Sequence, residues 1–365
     1  MTETKRTRKI ALVGDCLAGG GAEKVQAVLS VFFESKGFSV HNIIFIDDIT
    51  YPYSGVLLNL GKLKANSIYD KLKRLYVLRN YFRKHKFDCI IDFRYRVNTQ
   101  NELLIAHGVY DRPAIYTIHS GITDFYIPKN KAIATLIYGR HQLVTVSKAI
   151  EKRLKQQLSI PISTIYNPFE IEKIKALSEQ FIPEEAPFIV AVGRMNDRVK
   201  QFDKLILAYG NSVLPQQNIK LVIIGSGQYL AELKELVVQK KLENEVIFKG
   251  YQNNPHGYQK KALFSVVSSI QEGFSNVIVE SMIVGTPVVS FDCFAGPNEI
   301  ITDRYNGLLV EDQNNIKLTQ AMNTMVNDSE LYQYCKRNTT ASVAHFAVEA
   351  IGNQWLNFLK LKDEN

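Results

Sequence analysis

The segment Glu272–Glu280 reads EGFSNVIVE and sets two carboxylates eight positions apart. The first lies in a glycine-containing loop. The second lies a little over one turn into the apolar run SNVIVESMIV, which has helical patterning. A strand is predicted before the loop, over Ala262–Ser268, and another after the helix, in GTPVVSF from Gly285. A strand–loop–helix unit presents backbone N–H groups and the positive end of a helix dipole at its loop, an arrangement that favours phosphate. Carboxylates beside such a site repel phosphate but accept hydrogen bonds from hydroxyls. Phosphate flanked by hydroxyls describes a nucleotide-sugar, with Glu272 near the sugar and Glu280 near the ribose. The bland alternative is a surface glutamate on an ordinary helix.

The elements that must hold these residues recur along the chain. In the second half, strands are predicted at Phe188–Val192, Lys220–Ile224, Val246–Lys249, Ala262–Ser268, Pro287–Phe291 and Gly307–Val310, with helices at Phe202–Tyr209 and Tyr229–Lys240. The first half opens with a strand at Lys9–Val13, the turn GDCLAGGGAE and a helix at Glu23–Ser35 stopped by Gly37. Strands follow at Ser39–Ile46, Cys89–Phe93, Ala114–Ile118 and Leu143–Val146. This alternation predicts an α/β fold with parallel sheets wrapped by helices. The expected division is a first domain over 1–168, a linker over 169–187, a second domain over 188–343 and a final amphipathic helix over 344–365. The stretch Asn167–Pro187 is polar with three prolines, hence the linker. The last helix carries Phe346, Ile351, Trp355 and Phe358.

With 365 residues and 46% hydrophobic content, the chain can bury two ordinary cores. No apolar run reaches membrane-spanning length, and MTETKRTRKIALVGD has no signal-peptide core. Cys16, Cys89, Cys293 and Cys335 are scattered without metal or disulfide spacing, which suits a reducing, cytoplasmic setting. Charge is uneven, with a net +12 in residues 1–168 and −4 in the remainder. The first half either meets an anionic partner or is a solvated basic surface.

Glu-x7-Glu followed by GTPVVS and AGPNEII resembles the retaining glycosyltransferases of family 4. That resemblance implies the GT-B fold: two Rossmann-like domains facing a cleft, with a C-terminal helix crossing back to the first. VGRMNDRVKQFDKLI is similar to the family's Gly-Arg-Leu…Lys-Gly-Phe pattern, whose Arg and Lys grip the diphosphate. This assigns Arg194 and Lys200. The spacing is one residue longer than the commonest form, and Phe202 keeps its place, which favours Lys200 over Arg198. VIIGSGQY implies a nucleotide-flanking loop at Gly225 and Gly227. VIFKGYQNN implies a base-lining segment at Gly250 and Tyr251. In EGFSNVIVE the amides of Gly273, Phe274, Ser275 and Asn276 are expected at the donor's sugar and phosphate, with Asn276 also as a helix cap. In the first half GGAEKV is similar to the family's Gly-Gly-Ala-Glu entry, assigning Gly20 and Gly21 to the donor diphosphate. Its spacing from Gly14 is not that of a dinucleotide fingerprint, and on the glycines alone a plain tight turn serves as well. His119 in IYTIHSG resembles the His beside the transferred sugar, with a satisfied core histidine as the alternative. VSKAIEKRL and TIYNPFE are also family-like, and Ser147 is read as a cap.

Lys62–Lys86 holds nine Lys/Arg and one Asp among Tyr69, Leu72, Leu75, Tyr76, Tyr81 and Phe82. The apolar stripe is expected to be core. The basic flanks suit a peripheral contact with an anionic inner membrane, a phosphate-rich acceptor, or plain solvation. No nucleic-acid motif occurs. The resemblance thus implies a retaining hexosyltransferase that moves a hexose or N-acetylhexosamine from a UDP-sugar to a growing, lipid-linked surface glycan such as lipopolysaccharide, O-antigen or capsule. Glu272 and His119 would orient the sugar, Glu280 would hold the ribose, and Arg194 and Lys200 would stabilise the leaving diphosphate. No cofactor is expected, and without an Asp-x-Asp motif no metal either. The alternatives are a GT-B sugar-nucleotide epimerase or hydrolase, and a non-catalytic scaffold.

Overall fold

The computed structural model describes residues 6–65, 67–184 and 187–361. The chain divides into two units, Met1–Phe169 with Phe346–Asn365, and Glu170–His345. Among the described residues each unit is built on one parallel sheet.

In the first unit the strands are β1 (Lys9–Gly14), β2 (Ser39–Ile44), β3 (Val56–Asn59), β4 (Cys89–Asp92), β5 (Ile115–Ile118), β6 (Gln142–Thr145) and β7 (Ile162–Thr164). They lie in the order β3-β2-β1-β4-β5-β6-β7. Helices α1 (Gly21–Ser35), α2 (Ile68–His85), α3 (Thr99–Leu104), α4 (Lys131–Tyr138) and α5 (Lys148–Lys155) connect them. The central strands are Val/Ile-rich and buried on both faces, as parallel strands covered by helices must be. From β1 the chain winds one way to β2 and β3. From β4 it winds the other way, so the order reverses between β1 and β4. Two strands escape the sequence pattern, and both are sheet edges. β3 is a half-exposed stretch of four residues, and β7 is three residues long. β2 ends at Ile44, short of the expected Ile46, because the Phe45 and Ile46 amides turn to the Asp15 carbonyl at 3.0 and 2.8 Å.

The second unit begins inside the expected linker. Helix α6 (Ile171–Ser178) packs on a later helix of the same unit and buries Ile174. Strands β8 (Phe188–Val192), β9 (Lys220–Ile224), β10 (Val246–Gly250), β11 (Ser265–Val267), β12 (Val288–Phe291) and β13 (Gly307–Val310) follow. Their order is β10-β9-β8-β11-β12-β13, which reverses between β8 and β11. The helices are α7 (Phe202–Gly210), α8 (Leu230–Gln239), α9 (His256–Lys261), α10 (Asn276–Ile283), α11 (Pro297–Ile300), α12 (Asn315–Asn327) and α13 (Ser329–Val343). Ile189, Ala191, Leu221 and Ile223 enter the larger core on one face of the sheet, while Phe188, Val190, Val222 and Ile224 form a smaller core on the other.

After a single 3-10 turn at Ala344–Phe346, α14 (Val348–Phe358) returns to the first unit and packs on α1. The contact is close because of Gly352: a Cβ there would lie 2.4 Å from the Phe32 ring.

Helix α2 departs from the expected all-core stripe. Leu78 and Phe82 are buried, but Tyr69, Leu72 and Tyr76 are 81%, 62% and 67% exposed. The helix is held at its start by a reciprocal capping box between Ser67 and Asp70. It buries one apolar face and presents a second one outward. No helix among the described residues is long and apolar enough to cross a membrane.

Candidate functional site

Open α/β sheets bind ligands at the carboxyl ends of their strands, where the strand order reverses. In the second unit that point lies between the loops after β8 and β11, and both loops carry predicted site residues. Lys200, from the first loop, donates to Glu272 Oε1 of the second at 2.6 Å. Ser269 Oγ donates to the same oxygen at 2.6 Å. The pair is largely sheltered, with the side chains 20% and 10% exposed. Two further bonds tie the loops: the Ile270 amide donates to the Val199 carbonyl at 2.8 Å, and Ser268 Oγ to the Lys200 carbonyl at 2.8 Å.

Neighbouring loops close around this pair. The Lys200 stem lies over Gly193, where a Cβ would stand 3.1 Å from Cγ. Gly225, at φ +147, sits so close to Gly193 that a Cβ would fall 1.8 Å from its carbonyl oxygen. The Gly225 amide donates to the Gly250 carbonyl at 2.8 Å, and the Met195 amide to Ser226 at 2.8 Å. The loops after β8, β9 and β10 are therefore one hydrogen-bonded assembly. On the β11 side, a Cβ on Gly296 would fall 2.5 Å from the Phe274 carbonyl oxygen, so the AGP turn props the Gly273–Phe274 backbone.

Backbone strain marks the same place. Gln201 and Ser275 precede helices α7 and α10 with φ of +46° and +70°. Each such non-glycine residue costs on the order of 1–3 kcal/mol. Gln201 Oε1 and Ser275 Oγ are also buried without a hydrogen-bond partner among the described residues. Strained residues with unmet polar atoms persist where function holds them. Ser275, and not Asn276, is the N-cap of α10, and it caps without its side chain. Asn276 is instead the first helical residue. Glu280, one turn later in α10, is buried, and its Cβ leans toward the helix start.

Other predicted residues lie at the margin of this assembly. Arg194 is exposed and pairs with Asp197 at 3.3 Å. Arg198 is bound by Glu232 at 2.9 and 3.0 Å and lies over the Tyr229 ring. Of these cations Lys200 is the one that reaches Glu272. Tyr251 is exposed and follows left-handed Gly250. Burial, reinforced by the Glu272 charge, pushes the Cys293 thiol far up, so it is an inert thiol at neutral pH.

In the first unit the reversal point lies between β1 and β4, and the sequence reading missed most of what is there. Asp92, Arg94 and Arg96 leave the end of β4 at alternate positions and are all buried. Arg94 donates to Asp92 Oδ2 at 2.6 Å and to Glu102 at 3.0 and 3.1 Å. The Tyr110 hydroxyl completes the Asp92 shell at 2.8 Å. Arg96 is enclosed by the rings of Tyr116, Tyr126 and Tyr138, 5.0 to 5.9 Å from its guanidinium carbon. The alternation in DFRYR was the legible signal, because alternate residues after a strand share a side. His119 follows β5, half-buried. Burial and the Arg96 charge push its imidazole down to about 3, so it is neutral. Gly20 is the N-cap of α1, and its missing Cβ makes room for the Glu23 carboxylate, 2.0 Å from where that Cβ would stand. Asp15, just past β1, accepts from the Tyr95 amide at 2.8 Å. Burial raises its carboxyl above the usual range even so.

Comparison with known proteins places this architecture. The family described as "Glycosyl transferases group 1" matches residues 172–342, the stretch that holds the Lys200–Glu272 assembly. Over 96% of this chain and 99% of the relative, the sequence is 30% identical to the N-acetylgalactosamine-N,N'-diacetylbacillosaminyl-diphospho-undecaprenol 4-alpha-N-acetylgalactosaminyltransferase of Campylobacter jejuni. The chain is a group 1 glycosyltransferase. A second Campylobacter jejuni relative, an alpha-1,4-N-acetyl-D-galactosaminyltransferase acting on a diNAcBac-PP-undecaprenol glycan, is 24% identical over 96% of this chain and 98% of its own. Among solved structures, Anabaena HepE in complex with UDP matches with a TM-score of 0.76 at 21% identity, covering 96% of this glycosyltransferase and 99% of HepE. That likeness shows the GT-B type of fold.

Proposed function

We propose that this glycosyltransferase transfers a hexose or N-acetylhexosamine from a UDP-sugar, with retention, to a lipid-linked glycan destined for the cell surface. The observation that carries the reading is the Lys200–Glu272 pair, sheltered and braced by Ser269, at the strand-order reversal of the second unit. An arriving diphosphate competes for the Lys200 ammonium. Glu272 is then released to accept hydrogen bonds from sugar hydroxyls, while Lys200 and the α10 dipole stabilise charge on the departing nucleotide. Arg194 is exposed and, among the described residues, is held by an ion pair to Asp197, so it can swing to the same diphosphate. Gly225 and Gly250 line the nucleotide, with Tyr251 beside the base and Glu280 on the ribose. His119 is the residue with which the first unit binds the sugar, and Gly20 and Gly21 serve the diphosphate. No side chain is assigned as nucleophile. Retention follows front-side attack, with the donor phosphate taking the acceptor's proton.

The relatives that act on diphospho-undecaprenol glycans support a polyprenyl-linked acceptor and an N-acetylhexosamine. Complexes of HepE with UDP support a uridine donor. The outward stripe Tyr69, Leu72 and Tyr76 on α2, flanked by Lys71, Lys73, Arg79 and Arg83, supports contact with an anionic membrane surface at the cytoplasmic face.

The test is a panel of UDP-, GDP- and ADP-sugars, read by thermal shift and by nucleotide release with and without a polyprenyl-diphosphate glycan. One UDP-sugar should raise the melting temperature, with release appearing only when the glycan is added. Rapid release without acceptor would point instead to a hydrolase or epimerase, and no response to any donor would sink the reading.

A further inference from the structure

The hydrogen bonds beneath His119 decide which of its nitrogens carries the proton. A threonine hydroxyl has one hydrogen to give. Thr117 Oγ1 lies 3.1 Å from the Asp92 carbonyl oxygen, which can only accept, so that hydrogen is committed there. The same Oγ1 lies 3.0 Å from His119 Nε2 and must accept from it. Thr117 cannot easily turn away. It is buried in β5, an inner strand of the sheet, and its carbonyl accepts from Arg96 Nη2 at 2.8 Å. Arg96 is fixed in turn by its three tyrosine rings and by a bond to the Arg94 carbonyl at 2.8 Å. The imidazole is neutral, so it has a single N–H, and that N–H is on Nε2. Nδ1 is left a bare acceptor, and it is buried with no partner among the described residues.

We propose that Thr117 is a positioning residue that locks His119 as its Nε2–H tautomer, so that Nδ1 accepts a hydrogen bond from a hydroxyl of the bound sugar. The ligand half of this rests on the sugar-binding reading of His119, while the tautomer half does not. A lone pair at Nδ1 selects a group that can donate and repels phosphate oxygens. The buried Asp92–Arg94–Arg96 network thereby acquires a role: it supplies the fixed carbonyl that orients Thr117.

The experiment is long-range nitrogen–proton correlation spectroscopy on the full chain labelled at histidine nitrogen. His119→Gln identifies the His119 signal among the seven histidines. The free wild-type protein should show the Nε2–H form at neutral pH. Thr117→Ser should keep it, and Thr117→Val should give mixed tautomers. An Nδ1–H form in the wild type, or no change in Thr117→Val, overturns the proposal. UDP-N-acetylglucosamine and UDP-N-acetylgalactosamine are then added, with UDP alone as control. A sugar nucleotide that raises the melting temperature should move the Nδ1 signal, and UDP should not. Stabilisation without that movement overturns the ligand half. If no sugar nucleotide of the full donor panel raises the melting temperature, it is the functional reading that fails, and the tautomer result still stands. In turnover, Thr117→Val should lower kcat about tenfold, the worth of one hydrogen bond, and Thr117→Ser should restore it.

Discussion

Lys200 and Glu272 come from loops 72 residues apart, and each is the other's closest counter-charge. Removing the lysine leaves a sheltered carboxylate with, among the described residues, only the Ser269 hydroxyl as a side-chain partner. Lys200→Ala should therefore cost about 1–3 kcal/mol of stability. It should also lower kcat by about 100- to 1,000-fold, as loss of a preorganised charge at a leaving group does. Urea unfolding and steady-state turnover on the same preparation separate the two effects, and unchanged turnover would exclude Lys200 from the diphosphate site. Gly225 makes a second case. A Cβ there meets the Gly193 carbonyl, so Gly225→Ala must push the β8 and β9 loops apart. About 2–4 kcal/mol of destabilisation is expected, with loss of the thermal shift from UDP. Wild-type nucleotide binding in this variant would mean that the loops are not the nucleotide seat. Both glutamates and the lysine were legible because their residue types sit in a specific string. The strain at Gln201 and Ser275 was not, since a left-handed φ at a non-glycine residue leaves no mark on residue type.

At the scale of the element, α2 shows how periodicity can mislead. Tyr69, Leu72, Leu75, Tyr76, Tyr81 and Phe82 fit one helical stripe on paper. In the structure Leu78 and Phe82 are buried, Phe82 against the Phe87 and Tyr110 rings, while Tyr69, Leu72 and Tyr76 are exposed. Replacing those three with Ser should barely alter the melting temperature, because exposed positions contribute little to folding. Binding to phosphatidylglycerol-containing vesicles should weaken by about tenfold or more, from lost apolar insertion. Sedimentation with such vesicles checks this, and undiminished binding would remove α2 from the membrane contact. The expected linker is in part a helix for a related reason. Its prolines and polar residues read as loop, yet Ile171–Ser178 forms a helix because Ile174 finds an apolar partner surface within its own unit.

For the whole molecule, the histidines held furthest below their ordinary value are expected to set the acid limit of stability. Burial pushes His41 and His141 down to about 4, and burial with the Arg96 charge pushes His119 to about 3. Between pH 6.5, the ordinary histidine value, and about 4 the unfolded chain binds protons that the native state refuses. Stability is therefore full above pH 6.5 and falls as the pH drops. Carboxyls raised by burial, such as Asp15, act in the opposite sense near pH 4, so the clean window is pH 5 to 7. Urea midpoints should fall steadily across it. His141→Asn, which keeps an acceptor for the Ala114 amide that lies 2.9 Å from Nδ1, should flatten the slope. An unchanged slope would exclude His141 from the acid limit.

The sequence alone determined the α/β class and most strands of both sheets, and it named the residues that meet in the second unit's candidate site. Those follow from local periodicity and from strings in which neighbours along the chain are neighbours in space. Only the tertiary structure decided the rest. It paired Lys200 with Glu272, turned one face of α2 outward, added the edge strands β3 and β7, and set Thr117 between Asp92 and His119. Each of these depends on distant segments meeting at a strand end or a sheet edge. No pattern within one segment encodes which partner it will find there.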